Sequence, residues 1–210
     1  TTEIKTIKIQ DTVTILNAAL EASVIEAHEI VVSGAYTNDA EESPVKIDVI
    51  SADKLKKSGS PTLMHALTNV AGVSNVSTGI SIGKPVIRGL SFSRILTISH
   101  GVRMENQEWG EEHGLEADED GFDRVEIIKG PASLIYGSGA MGGVIHFIDE
   151  KNAAQGKVEG DYSLNLFSNT LGIASNLGVK GTNKFFNWKI REGGATHTDY
   201  TGGNDVRVFN

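Results

Sequence analysis

Three glycines in the second half of the chain stand at the spacing of a phosphate-binding loop. Gly137, Gly139 and Gly142 lie in the segment YGSGAMGGVIHF and match G-x-G-x-x-G. In a dinucleotide site a strand runs into these glycines, and a helix after them receives the pyrophosphate. Here the preceding apolar run ends at Gly130, Pro131 follows it, and the β-branched residues of GVIHFID predict a strand after the glycines. Without a helix there is no dipole to hold a phosphate, so we expect no nucleotide site.

A second segment with potential chemistry is strongly acidic. Residues 105–123, ENQEWGEEHGLEADEDGFD, hold nine carboxylates and no lysine or arginine. Crowded carboxylates repel one another, and a bound cation relieves that cost. Glu112 and His113, joined by His100, form a donor set in which the histidine nitrogens favour zinc, copper or iron over calcium. Trp109 offers a face for stacking on a ring or a cation. The alternative is a solvated acidic surface.

Composition argues against several other kinds of site. The chain has no cysteine, which removes disulfides, thiolate catalysis and Cys-based zinc sites. A net charge of −8 argues against a nucleic-acid partner. The chain carries neither a G-x-S-x-G elbow nor a P-loop, so we expect no catalytic residue, no enzyme and no required cofactor. The other histidines lack a partner at ligand spacing, and we interpret them as structural: His28, His65, His146 and His197.

The elements that position these residues form a compact mixed domain over residues 46–150. KIDVIS predicts a strand, and ADKLKKS predicts a helix with Ser51 and Asp53 as capping residues. SPTLMHALTNV predicts a second helix, with Ser60 as its cap and Pro61 at its first position. Further strands are predicted at KPVIRGL, RILTISH, RVEIIKG and GVIHFIDE. This order predicts an α+β domain around a small sheet.

Residues 156–191 show a different pattern. Apolar and polar side chains alternate in three segments, KVEGDYSLNLF, LGIASNLGV and KFFNWKIR. The hairpin-like connectors SNT and GTN separate these segments. Alternation over about ten residues is typical of outer-membrane barrel strands, which turn apolar side chains to lipid and polar ones to the lumen. A half-buried sheet of a soluble protein has the same period, so this pattern alone leaves both interpretations open.

Three linked motifs resemble TonB-dependent outer-membrane receptors. The helices that open the plug resemble SADKLKKSGSPTLMHALTNVAGV. A later plug segment resembles KPVIRGLSFSRILTISHGVRMENQEWGEEHG, and the end of the plug domain resembles DRVEIIKGPASLIYGSGAMGGVIHFI. The resemblance implies an α+β plug with a small mixed sheet, followed by the first antiparallel strands of a transmembrane β-barrel of about 22 strands. The glycines then mark tight turns where chain packs against chain.

The resemblance also implies a function and a location. Such receptors lie in the outer membrane, with barrel strands in contact with lipid and the N-terminus in the periplasm. They import a metal ion, a metal chelate such as a siderophore, or a cobalamin-like solute, bound first from outside the cell. Their energy comes from TonB and its inner-membrane complex, which pull on a TonB box before the plug. A stand-alone soluble plug-like module for binding or signalling, without transport, is the alternative.

The segment EIVVSG occupies the place of the TonB box, which would comprise Glu29, Ile30, Val31, Val32, Ser33 and Gly34. Its hydrophobic, β-prone residues suit strand addition to a partner's sheet, and an ordinary strand is the alternative. We therefore divide the chain into four parts. These are residues 1–27, which resemble the end of a carboxypeptidase-regulatory-like β-sandwich, the box and linker at 28–45, the plug at 46–150 and the barrel strands at 151–210.

Two groups of site residues follow from the resemblance. Arg88 of VIRG and Lys129 of IIKGP resemble the basic pair that locks the plug to acidic residues of the barrel wall, although the family often has arginine at the second position. A solvated Lys129 is the alternative. The acidic segment corresponds to an apical loop facing the external ligand, with these ligand residues: Glu105, Glu108, Trp109, Glu111, Glu112 and His113.

The chain's ends carry two further expectations. The N-terminal sequence TTEIKTIKIQ does not have the character of a signal peptide. Three alternating segments cannot close a barrel, so we expect the chain to be a fragment of a longer receptor.

Overall fold

The computed structural model describes residues 30–33, 36–39, 47–80, 82–105, 114–115, 120–201 and 207–208. The predicted β-sandwich remnant at residues 1–27 lies outside this part of the chain. Two α-helices are described, α1 (Ala52–Lys57) and α2 (Leu63–Leu67). The described strands are β1 (Ile30–Ser33), β2 (Tyr36–Asp39), β3 (Ile47–Ser51), β4 (Val73–Ser77), β5 (Gly83–Ile87), β6 (Ile95–Ser99), β7 (Val102–Met104), β8 (Phe122–Ile128), β9 (Gly143–Asp149), β10 (Val158–Phe167), β11 (Gly172–Thr182), β12 (Asn187–Thr196), β13 (Tyr200–Thr201) and β14 (Arg207–Val208).

The centre of the plug is a five-stranded sheet in the order β3-β8-β9-β6-β7. β6 and β9 run parallel, whereas the other neighbours run antiparallel, so the predicted mixed sheet is confirmed. The strands follow the predicted apolar runs closely. β4 and β5 form a separate hairpin, and the sequence pattern gave no sign of β4.

Both faces of the central sheet are covered. One face packs against α1 and α2 in the main core, which includes Ile50, Leu55, Leu67, Val125 and Ile145. The other face carries a smaller cluster, covered by 3₁₀ turns at Pro131–Tyr136 and Ser138–Ala140. None of the helices in the described ranges has the length or the apolar character needed to cross a membrane.

The two helix caps test the sequence prediction directly. Ser51 caps α1 as expected, since its side chain accepts a hydrogen bond from the backbone N–H of Lys54 at 3.3 Å. The Ser60 cap is wrong. Thr62 has the extended backbone of a cap and accepts from the backbone N–H of His65, while the Ser60 hydroxyl bonds to Ser58 instead. The helix therefore starts later than Pro61 suggests.

The glycine cluster forms turns and close contacts, and the strand β9 follows it. Gly137 has a φ of 104°, between the two 3₁₀ turns. Gly143 has a φ of 151°, and a Cβ there would lie 2.8 Å from the carbonyl oxygen of Ile128. A Cβ at Gly142 would lie 2.8 Å from the Cβ of Leu90. Close packing of chain against chain thus explains the spacing without a phosphate.

The three alternating segments form an antiparallel sheet in the order β10-β11-β12. Its register places Tyr162 opposite Leu177, and Val179 opposite Ile190, so the apolar residues share one face. That face is exposed in the described chain and carries Val158, Tyr162, Leu164, Leu166, Ile173, Leu177 and Ile190. The opposite face is polar and turns toward the plug.

Candidate functional site

The acidic segment is anchored to the plug at both ends. Glu105 is exposed and directly follows β7. Farther along, the backbone N–H of Leu115 donates to the carbonyl of Gly83 at 2.8 Å, and Leu115 packs against the main core. The other predicted ligand residues of this segment lie outside the described residues: Glu108, Trp109, Glu111, Glu112 and His113.

Two of the nine carboxylates are already paired inside the plug. Asp120 lies 2.6 Å from the ammonium group of Lys56. Asp123, within β8, lies 3.1 Å from the guanidinium of Arg124. These two carboxylates help to hold the end of the segment at the plug.

His100 stands at a turn in the left-handed region, with a φ of 51°. Its Nδ1 lies 2.9 Å from Oδ1 of Asp149, and both side chains are exposed. Among the described residues no three histidine or carboxylate side chains gather at metal-ligand distances. The metal prediction therefore depends on Glu112 and His113, and its third member, His100, is engaged with Asp149.

The predicted TonB box falls on a hairpin. β1 pairs antiparallel with β2, and the register joins Ile30 to Asp39 and Ser33 to Tyr36. Glu29 and Gly34 lie outside the described residues. Within the described part of the chain β1 pairs only with β2, which leaves its other edge for a partner strand.

The predicted lock residues Arg88 and Lys129 come close together. Arg88 has a φ of 50°, and its Nη1 lies 3.4 Å from the position that a Cβ on Gly130 would occupy. The Lys129 side chain is mostly buried, lies 2.7 Å from Asp48 and also donates to the carbonyl of Ala71. Lys129 is thus held inside the plug, and a contact of this pair with a barrel wall stays a prediction.

A charged cluster that the sequence analysis missed lies where the chain leaves the plug. Glu150 follows β9, and its carboxylate accepts two hydrogen bonds from Arg191 of β12, at 2.7 and 2.9 Å. Lys180 of β11 adds a third contact at 3.0 Å. The hydrogen bond from Arg191 lowers the pKa of Glu150 to about 2, with the contribution of Lys180 in the same direction and burial opposing both. In the sequence, only the polar positions of the alternating strands indicated this charged cluster.

A cavity of about 820 Å³ separates the plug from the inner face of the three strands. Glu150 and Arg191 both line it. Polar side chains line it on both sides, with Thr62, His100 and Asp120 from the plug and Asn165, Asn176 and His197 from the strands or the residues that follow them. The polar face of the sheet thus borders an open space beside the plug.

A plug domain set against antiparallel strands is the fold of receptors that fill a barrel with a plug. A solved structure entitled "Copper transporter OprC" has the same fold, with a TM-score of 0.63 and 24% identity over 80% of this chain and 26% of that one. The sequence model of the TonB-dependent Receptor Plug Domain matches residues 39–144, and the chain belongs to that family.

Two curated relatives are similar to the same region. The Hemin receptor of Yersinia enterocolitica is 33% identical over 107 residues, which are 50% of this chain and 15% of the relative. The Iron-regulated outer membrane virulence protein of Vibrio cholerae is 30% identical over 144 residues, 65% of this chain and 22% of the relative. The chain therefore spans less than a quarter of the length of these relatives. Such relatives are receptors and transporters, which confirms the expectation that the chain is not an enzyme.

Proposed function

We propose that this chain is the plug region and the first strands of an outer-membrane receptor that imports a scarce solute with energy from TonB. The amphipathic three-stranded sheet carries the proposal. It turns a polar face toward the plug and an apolar face outward, as a lipid-facing barrel wall requires. The relatives support the location, since one is named as an outer-membrane protein. A stand-alone soluble plug-like module finds no support among them.

TonB is the partner that supplies the energy, through strand addition at the open edge of β1. Main-chain hydrogen bonds carry most of the stability of such an interface, so the side chains matter less than an unbroken row of N–H groups. The hairpin with β2 supports this proposal because it holds Ile30–Ser33 in the extended conformation before the partner arrives.

Val32→Pro tests this interface, with Val32→Ala as the matched control. Proline removes a backbone N–H and is excluded from paired strand interiors, whereas alanine keeps the N–H. We expect Val32→Pro to abolish TonB binding and transport while ligand binding at the cell surface stays normal. Val32→Ala should retain both. If both variants transport alike, the box does not lie at residues 29–34.

The imported solute is a metal ion or a small metal complex, bound by the acidic segment. The seven carboxylates of residues 105–119 give the segment a physical reason to hold a cation. Relatives and structural neighbours named for hemin, iron regulation and copper support a metal-containing solute. A siderophore or a cobalamin-like solute fits the same class of receptor.

A further inference from the structure

The charged cluster around Glu150 joins the plug to all three strands of the sheet. Arg191 from β12 and Lys180 from β11 bind the Glu150 carboxylate, and Arg191 also reaches Asp161 of β10 at 2.8 Å. Lys189 of β12 donates to the backbone carbonyl of Glu150. We call these five residues the exit clamp, because they meet where the chain leaves the plug.

The clamp is shaped by two glycines. The register places Asp161, Gly178 and Arg191 in one row across β10, β11 and β12. A Cβ on Gly178 would lie 2.7 Å from Cζ of Arg191 and 2.8 Å from Oδ1 of Asp161. On the plug side, Gly121 packs against Cδ of Arg191, and its carbonyl accepts from the backbone N–H of Glu150 at 3.1 Å. The guanidinium therefore fills space that only glycine leaves open.

The clamp is partly shielded from water. The side chain of Glu150 is 11% exposed, and those of Arg191 and Lys180 are each 20% exposed. The guanidinium bonds to Glu150 through two separate nitrogens, the geometry in which an arginine–carboxylate pair is strongest. Pairs that stay within the plug, such as Lys129 with Asp48, cannot transmit force to the strands.

We propose that the exit clamp fixes the C-terminal end of the plug to the barrel wall, so that a pull on the N-terminus extracts the chain only as far as Glu150. This rests on the proposed function, in which TonB pulls from the N-terminal side. Glu150 lies between the plug sheet and β10 along the chain, and the other clamp residues lie on the three strands. The clamp therefore resists the pull, while the residues before Glu150 leave their places.

Single-molecule pulling of the full-length receptor in an outer-membrane bilayer tests the proposal. One cysteine introduced before the plug provides the handle, since residues 1–210 contain no other cysteine. Each extracted residue adds about 3.5 Å to the tether. In the wild type we expect the last force peak of the plug at the tether length that corresponds to Glu150.

Two variants break the clamp in different ways, and each has a matched control. Glu150→Gln removes the charge at the plug, whereas Glu159→Gln removes a carboxylate of β10 that is about half exposed, lies 3.9 Å from Lys180 and does not belong to the clamp. Gly178→Ala displaces the guanidinium while it keeps every charge, whereas Gly194→Ala adds a methyl group on the same sheet where nothing lies within 4 Å. We expect the peak at Glu150 to disappear in Glu150→Gln and Gly178→Ala and to remain in the two controls.

Two outcomes would overturn the proposal. One is a peak at Glu150 that stays unchanged in Glu150→Gln and Gly178→Ala. The other is a peak lost equally in all four variants, which would indicate general destabilisation of the sheet. The measurement needs neither TonB nor a ligand. A failure of the proposed function would appear separately, as transport by Val32→Pro or as a chain that does not insert into the membrane.

Discussion

At the scale of single residues, environment decides what each charged side chain does. Glu150 and Asp120 are both carboxylates near the same cavity, but Glu150 binds an arginine and a lysine of the strands, whereas Asp120 binds Lys56 of the plug. One therefore links two parts of the molecule, and the other stabilises a single part. Asp123 of the acidic segment also stabilises a single part, because it pairs with Arg124 of the plug.

The pH dependence of stability tests the environment of Glu150. Its pKa is lowered from 4.5 to about 2 in the folded protein, so its contribution is fully present above about pH 4.5 and is lost as the pH falls toward 2. We expect Glu150→Gln to remove about 2 kcal/mol of unfolding free energy at pH 7 and much less near pH 2. Urea unfolding of the full-length receptor at both pH values measures this difference.

Glu159→Gln is the control for that experiment. Glu159 lies 3.9 Å from Lys180 and is about half exposed, so its loss should change stability little. A wild type and a Glu150→Gln variant with the same pH profile would contradict the assignment of Glu150 as a paired, ionised group.

At the scale of elements, the two faces of a strand have different roles. β10 turns Leu164 outward and Asn165 toward the cavity beside the plug, although the two residues are neighbours in the chain. The register with β11 pairs Leu164 with Ser175 and Asn165 with Ala174. This alternation is what a wall between lipid and a polar lumen requires.

Leu164→Arg and Asn165→Arg separate the two faces. An arginine on a lipid-facing position near mid-membrane costs about 2–4 kcal/mol, whereas a lumen position tolerates charge. We expect Leu164→Arg to lower the amount of heat-modifiable, folded receptor in the outer membrane and Asn165→Arg to leave it near the wild-type amount. Equal amounts for both variants would mean that the outer face of β10 does not meet lipid.

At the scale of the whole molecule, the two proposals place the pull of TonB at one end of the plug and its anchor at the other. In chain order, the box hairpin lies before the plug sheet, the acidic segment lies between β7 and β8, and the exit clamp follows β9. The proposed partner, the proposed ligand and the barrel wall thus contact the plug at three separate points in the chain. A pull on the first point reaches the third through the sheet to which the acidic segment is attached.

Growth under metal limitation tests the ligand assignment. We expect the double variant Glu112→Ala and His113→Ala to reduce uptake of one transition metal or its complex, because it removes a carboxylate and an imidazole from the acidic segment. The measurement is uptake under limitation for each metal in turn, with Asp123→Asn as the control, since Asp123 is already paired with Arg124. Wild-type uptake of every metal would reassign the segment to a solvated surface.

The sequence by itself determined the two helices, most strands of the central sheet and the family, because these depend on local periodicity and on motifs that are continuous in the chain. It missed β2 and β4. The strand after Gly142, the cap at Ser51 and the amphipathic alternation all follow from the sequence alone. Only the tertiary structure decided the partners of charged side chains. Glu150 and Arg191 are 41 residues apart, and their contact depends on the register of three strands and on the space above Gly178. Cross-strand register arises from the whole sheet, and no local pattern encodes it.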